Sequence, residues 1–258
     1  MKTQRQQRRR TKLLTVTILS LSWLLSSTAL QARITSLFKV PADLNAPGRR
    51  VAGGSRSMES CFSGNKHLTA LVPQSHIMLT TVGNPVFYFY IPKTSASTLE
   101  LVVRNEQNQT LVKQSYKPSV QPGVVGIPLQ QKSLEVGKEY HWVFSVICHP
   151  KARSNDKVVE GAIKRIQPDP QLVKKLENAT PQQRVSLYGQ AGIWQNTLMT
   201  LAELLSSYPN NPELKAQWQE LLTSDGVGLG KDDITTDSAA VVSEPLLQTK
   251  LVEAQESK

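Results

Sequence analysis

The chain has 258 residues and a formal net charge of +10. Six of the positive charges fall in the first twelve residues, with no acid among them, so the total does not describe a uniformly basic, nucleic-acid-coating protein. Residues 45–170 carry fifteen Lys and Arg against eight Asp and Glu, and residues 171–258 carry seven against eleven. A basic module followed by an acidic one is a physical division of the chain.

After the basic zone comes an uncharged, mostly apolar run over 13–25 and then Ser26-Ser27-Thr28-Ala29. That order predicts a secretory signal peptide over 1–29, because the apolar run is short of the roughly 20 residues that span a bilayer. Cleavage is expected after Ala29, with Ala32 the second choice; a retained N-terminal anchor is the competing reading. About 225 residues then remain, enough for one or two domains, exported to the periplasm or out of the cell. Their basic half would favour anionic surfaces such as lipid headgroups or acidic polysaccharide, against the plainer reading of solvating Lys and Arg. Two cysteines remain, Cys61 and Cys148. In an exported chain that even count predicts a disulfide, closing a loop of roughly 90 residues and contributing on the order of 4 kcal/mol. Two buried free thiols are the alternative.

Residues 30–60 read as a basic Gly/Pro/Arg linker, from the aperiodic stretch Ala46-Pro-Gly-Arg-Arg-Val-Ala-Gly-Gly-Ser-Arg56. No aromatics interleave its Arg-Gly steps, so no nucleic-acid partner is expected. Residues 61–168 read as an antiparallel Ig-like β-sandwich, with strands at 68–72, 86–91, 99–104, 110–116, 124–129, 140–148 and 158–166. The clearest is 140–148, where Trp142, Phe144 and Val146 share one face with Cys148. Residues 169–223 read as helical. Asp169-Pro170, Thr180-Pro181-Gln182-Gln183 and Asn211-Pro212 are cap-then-proline starts, the second with the Gln of a capping box. They imply a helical hairpin broken at Gly192 plus one further amphipathic helix carrying Leu214, Trp218, Leu221 and Leu222. Residues 224–258, rich in Gly, Asp, Ser and Thr, read as a disordered tail. The fold class is α+β.

The hairpin resembles a tetratricopeptide repeat, with Tyr188, Gly192, Trp194, Leu201 and Pro209 at that repeat's spacings and Thr197 and Leu204 departing from it. One repeat is too few for a free-standing array, so the hairpin either packs on the sandwich or binds a partner. The mature chain as a whole resembles a largely cyanobacterial, exported family known only as a domain of unknown function, number 928. The stretches that carry this are the 46–56 arm, Leu68-Thr-Ala-Leu-Val-Pro73, Pro85-Val-Phe-Tyr-Phe-Tyr-Ile-Pro92, Leu134-Glu-Val-Gly-Lys-Glu-Tyr-His-Trp142, Ser145-Val-Ile-Cys-His-Pro150, Val159-Glu-Gly161 and Leu187-Tyr-Gly-Gln-Ala-Gly-Ile-Trp194. The resemblance implies an exported protein with no assigned activity. His149 stands where it leads one to expect an acid, which weakens any metal or carboxylate role at 148–150.

No catalytic site, cofactor or metal is expected. Cys148 and His149 point to opposite faces of a continuing strand, out of reach for a nucleophilic pair. His67, His76, His141 and His149 lack ligand spacing. Ser63-Gly-Asn-Lys66 is similar to the Ser-x-x-Lys of penicillin-interacting enzymes, and Lys93-Thr94-Ser95 to their Lys-Thr-Gly. Gly64 and Asn65 nevertheless make a turn where those enzymes have a helix. Asp156, Glu160 and Asp169 read as solvated surface acids.

The expected role is therefore a non-enzymatic interaction or scaffolding protein of the cell envelope, binding an envelope protein or glycan. Candidate partner-binding residues are Tyr188, Trp194, Leu201 and Trp218 on the helices, with Phe87 and Phe89 on a strand whose outward aromatics would stack on a sugar or a partner. The rival reading is a carbohydrate-binding or hydrolytic accessory protein. A regulator of a membrane complex is a third.

Overall fold

The computed structural model describes residues 36–52, 61–64, 66–118 and 121–229. The expected signal segment, the second half of the arm and the tail beyond 229 lie outside the described residues. The described chain is α+β. One antiparallel sheet has the order β1 (Thr69–Ala70), β3 (Val86–Ile91), β6 (Gly123–Pro128). The other has the order β2 (Ile77–Thr80), β8 (Lys157–Arg165), β7 (Glu139–Ile147), β4 (Thr98–Arg104), β5 (Thr110–Tyr116). Four helices follow: α1 (Pro170–Glu177), α2 (Pro181–Gln190), α3 (Trp194–Ser207) and α4 (Pro212–Thr223).

All seven expected strands are present. The eighth, β2, is a four-residue run between turns, too short to show a period. It pairs in parallel with β8, Ile77 opposite Ala162 and Thr80 opposite Arg165, so the larger sheet is mixed and not purely antiparallel. The two sheets meet through aromatic side chains. Phe89 stacks on Phe144 with ring centroids 3.9 Å apart, and Phe87 and Phe89 flank Trp142 at 5.9 and 5.7 Å. Trp142, Phe144 and Val146 are the buried side of β7, as its alternation demands. β3 shows no alternation because both its faces are covered: Tyr88 and Tyr90, pointing away from the larger sheet, are buried too.

The three predicted caps all form. Asp169 accepts from the Gln171 amide at 2.7 Å, Thr180 and Gln183 make a reciprocal capping box, and Asn211 accepts from the amides of Glu213 and Leu214. Proline follows each cap at the first helical position. Gly192, at φ 71°, turns the chain from α2 into α3. Helix α1 begins at the expected Asp169-Pro170 start, stands as a separate helix before the hairpin, and has no fully buried residue.

Helix α3 carries the helices onto the sheets. Trp194 Nε1 donates to the Leu71 carbonyl at 2.9 Å, and Gln195 Nε2 donates to the Val86 carbonyl. Asn196 Oδ1 accepts from the Thr81 amide at 2.9 Å and the Thr80 hydroxyl at 3.3 Å, while Asn196 Nδ2 donates to Thr81 Oγ1. The hairpin thus packs on the sheets, one of its two expected fates.

Two segments expected to be loose are built in. Within the 30–60 linker, Phe38 is buried edge-on against Trp194, 4.9 Å between centroids. The Lys39 amide bonds the Gly189 carbonyl at 2.9 Å. Arg49 bridges Glu160, Val51 bridges Thr69, and Ala46 and Ala52 are buried. Residues 36–52 are therefore a strap across helices and sheets. At the other end, Val227 and Leu229 are buried, and the Gly226 carbonyl accepts from the Gln74 amide at 2.8 Å. Residues 224–229 of the expected disordered tail are therefore packed in place, and the rest of that tail lies outside the described residues.

Candidate functional site

Cys61 and Cys148 form a disulfide, Cα to Cα 5.2 Å, across a sequence separation of 87. It ties the chain just before the Phe62–Thr94 bridge to the end of β7. No thiolate remains at Cys148 to pair with His149, which is exposed. Ser63 and Lys93 are brought together by a backbone bond of 3.0 Å, yet Ser63 stands exposed in a turn with Gly64 at φ 84°, not at the head of a helix.

The aromatic and leucine anchors singled out from the sequence are placed inside. Trp194, Leu201, Phe87, Phe89 and Trp218 are buried by this chain's own packing. The periodicity that marked them is the signature of a core face, so as anchors for a partner they are corrected to interior residues. Tyr188 alone is half-exposed. Tyr88 and Tyr90, the outward aromatics of β3, are likewise covered. Burial, reinforced by the charge of Glu203, raises the Tyr88 phenol above its ordinary range. No aromatic of β3 is left to stack on a sugar.

Among the described residues, what stays partly open is the far side of the five-stranded sheet, where Glu100 and Ser145 are buried and the valines between the charges are not. Its registers set Lys113, Val102, Val143 and Glu160 in one row across β5, β4, β7 and β8. The next row is Ser115, Glu100, Ser145 and Val158. Val102, Val143 and Val158 are half-exposed and lie together at the centre. Charges frame them. Glu160 faces Arg49 at 3.9 Å and His141 at 3.7 Å. Glu100 takes Lys113 at 3.2 Å and Arg153 at 2.8 Å, and Arg153 also holds Asp156 at 2.5 Å.

Burial opposes the charged form of Glu100, but the hydrogen bonds from Arg153 and Lys113 outweigh it and hold its carboxyl below the ordinary value. The same two carboxylates raise the Arg153 guanidinium. This network pins the 3-10 turn Arg153–Asn155 to the rim of the face. Of the three acids read as solvated, Asp156 has a side chain only 4% exposed within the network, whereas Asp169 is exposed as expected and also caps α1. Glu160 is a half-exposed rim acid.

The face has an apolar centre and a polar, charged rim, the layout of a protein-binding patch. Sequence reasoning missed it because no single strand displays it. Its only local signal is the valine at alternate, non-core positions of β4, β7 and β8. A separate open hollow of about 120 Å³ lies between Asn105–Gln107 and Glu135–Tyr140. Its Glu106, Glu135 and Lys138 are solvent-exposed, and Glu106 accepts from the Glu139 amide at 3.3 Å. Among the described residues no group of three or more His, Cys, Asp or Glu is placed to hold a metal ion. None of the described helices is long and apolar enough to cross a membrane.

A disulfide-bridged α+β chain with a strapped helical layer and, among the described residues, one partly open sheet face is the class of protein the geometry defines. The chain belongs to the family described as Domain of Unknown Function (DUF928), whose model matches residues 51–237. A comparison with curated proteins found no match.

Proposed function

We propose that this chain is an exported, non-enzymatic interaction or scaffolding protein of the cell envelope. It docks a partner on the outer face of the five-stranded sheet. The observation that carries this is the half-exposed Val102–Val143–Val158 strip, framed by Lys113, Glu100, Arg153, Glu160 and His141. The sequence order of basic, apolar and small residues at the N-terminus supports the address, and the Cys61–Cys148 bridge agrees with an oxidising compartment.

We read the two sheets as an Ig-like sandwich. The order β1–β3–β6 against β2–β8–β7–β4–β5, with the second strand parallel to the last, corresponds to strands A–B–E against A′–G–F–C–C′. We read α2 and α3 as a single tetratricopeptide-like unit, supported by the turn at Gly192 and by Trp194 opening α3. The basic excess of residues 45–170 adds peripheral attraction to anionic headgroups or acidic polysaccharide.

The test is retention of an envelope component by the immobilised chain and by Val143→Arg, which places a charge at the centre of the face without touching the core. The reading expects Val143→Arg to melt with the parent and to lose the component. Equal retention by both removes this face from the function. Turnover of envelope glycan by the purified chain would instead establish the hydrolytic alternative, and glycan binding without turnover the carbohydrate-binding one.

A further inference from the structure

The geometry points to a second copy of this chain as an occupant of the open sheet face. This rests on reading that face as the docking surface and adds who docks there. The row Lys113, Val102, Val143, Glu160 is cationic at one end, apolar in the middle and anionic at the other. Strands lie about 4.8 Å apart, so the two charges sit roughly 7 Å to either side of the line between β4 and β7. A two-fold axis along that line, in the plane between two facing sheets, carries β4 over β7 and β5 over β8. Val102 then meets the partner's Val143, and Lys113 meets the partner's Glu160, each contact occurring twice. An axis running across the strands would instead stack Lys113 on itself and Glu160 on itself. Charge therefore selects the first arrangement and rejects the second.

The side chains have the freedom the pairing needs. The Lys113 side chain is 60% exposed and would exchange its 3.2 Å contact with Glu100 for the partner's carboxylate, while the Glu160 side chain is 35% exposed with Arg49 and His141 both beyond 3.5 Å. Aligned sheets pack at about 30° to one another, which concentrates contact at the middle of the face, where the valines are. The strap at Arg49 and the loop carrying Arg153 border that middle without covering Val102 or Val143.

Sedimentation of the purified chain over a range of concentrations, at low and at high salt, tests the arrangement. The expected result is a dimer that weakens as salt rises. Lys113→Glu and Glu160→Lys should each raise its dissociation constant by about a hundredfold, from two like-charge contacts per dimer, and the double exchange should restore it. Lys113→Glu sits beside Glu100 and risks the fold, so Val143→Arg serves as the second probe and should abolish the dimer with an unchanged melt. A monomer at all concentrations, a dimer indifferent to these changes, or failure of the double exchange to rescue would overturn the inference. A monomer that still retains an envelope component, and loses it in Val143→Arg, would overturn self-association alone and leave the docking face standing.

Discussion

Removing the disulfide by changing Cys61 and Cys148 together to Ala should cost the fold a large part of its margin. The bridge closes a loop across a separation of 87 residues that encloses β1 through β7. Loop-closure entropy for that length is worth about 4.5 kcal/mol at 25 °C. For a domain of this size, each kcal/mol moves the melting temperature by about 2–4 °C, so a fall of roughly 10–18 °C is expected. The Cys61 carbonyl also accepts from the Ser95 amide and the Thr94 hydroxyl, each at 2.9 Å. Without the covalent link, these bonds must hold the closing segment by themselves. Thermal unfolding followed by circular dichroism, for the parent, the double variant and the parent with reductant, reads the effect. The variant and the reduced parent should coincide. A shift under about 2 °C would mean that the sandwich closes without the bridge, and the role given to it here would be refuted.

Gly189→Ala should destabilise by roughly 2–4 kcal/mol, measured by denaturant unfolding, because the added methyl collides with the Leu37 carbonyl where the strap crosses α2. An uncrowded helix would gain about 0.5–1 kcal/mol from the same change, so the sign of the effect tests the strap. Glu100 has a folded-state pKa below its ordinary 4.5. The stability it contributes is complete above that value and is lost as pH falls through the lowered one. Glu100→Gln should therefore flatten the acid limb of the stability curve below about pH 4.5; an unchanged limb would show that Arg153 and Lys113 do not matter there.

Much of the architecture is legible in local residue patterns. Trp142, Phe144 and Val146 alternate because β7 has one core face, and Asp169, Thr180 and Asn211 announce helix starts through bonds spanning two or three residues. The cysteine pairing follows from their even number. Properties set by distant partners are not legible. β2 exists through its parallel ladder with β8, some 85 residues away, and Phe38 is core only because the strap returns to Trp194. Phe87 and Phe89 look like an aromatic display until the larger sheet packs Trp142 and Phe144 against them. The candidate face depends on the register of four strands at once, so its valines and charges are scattered through the sequence and gather only in the sheet.

The compartment in which this chain folds decides both its address and its disulfide, and mass spectrometry of the endogenous protein from fractionated cells measures that directly. The predicted result is a chain in the periplasmic or extracellular fraction, beginning at Leu30 after cleavage behind Ala29, with the Cys61 and Cys148 peptides joined. Recovery from the cytosol with Met1 present and both thiols reduced would contradict it.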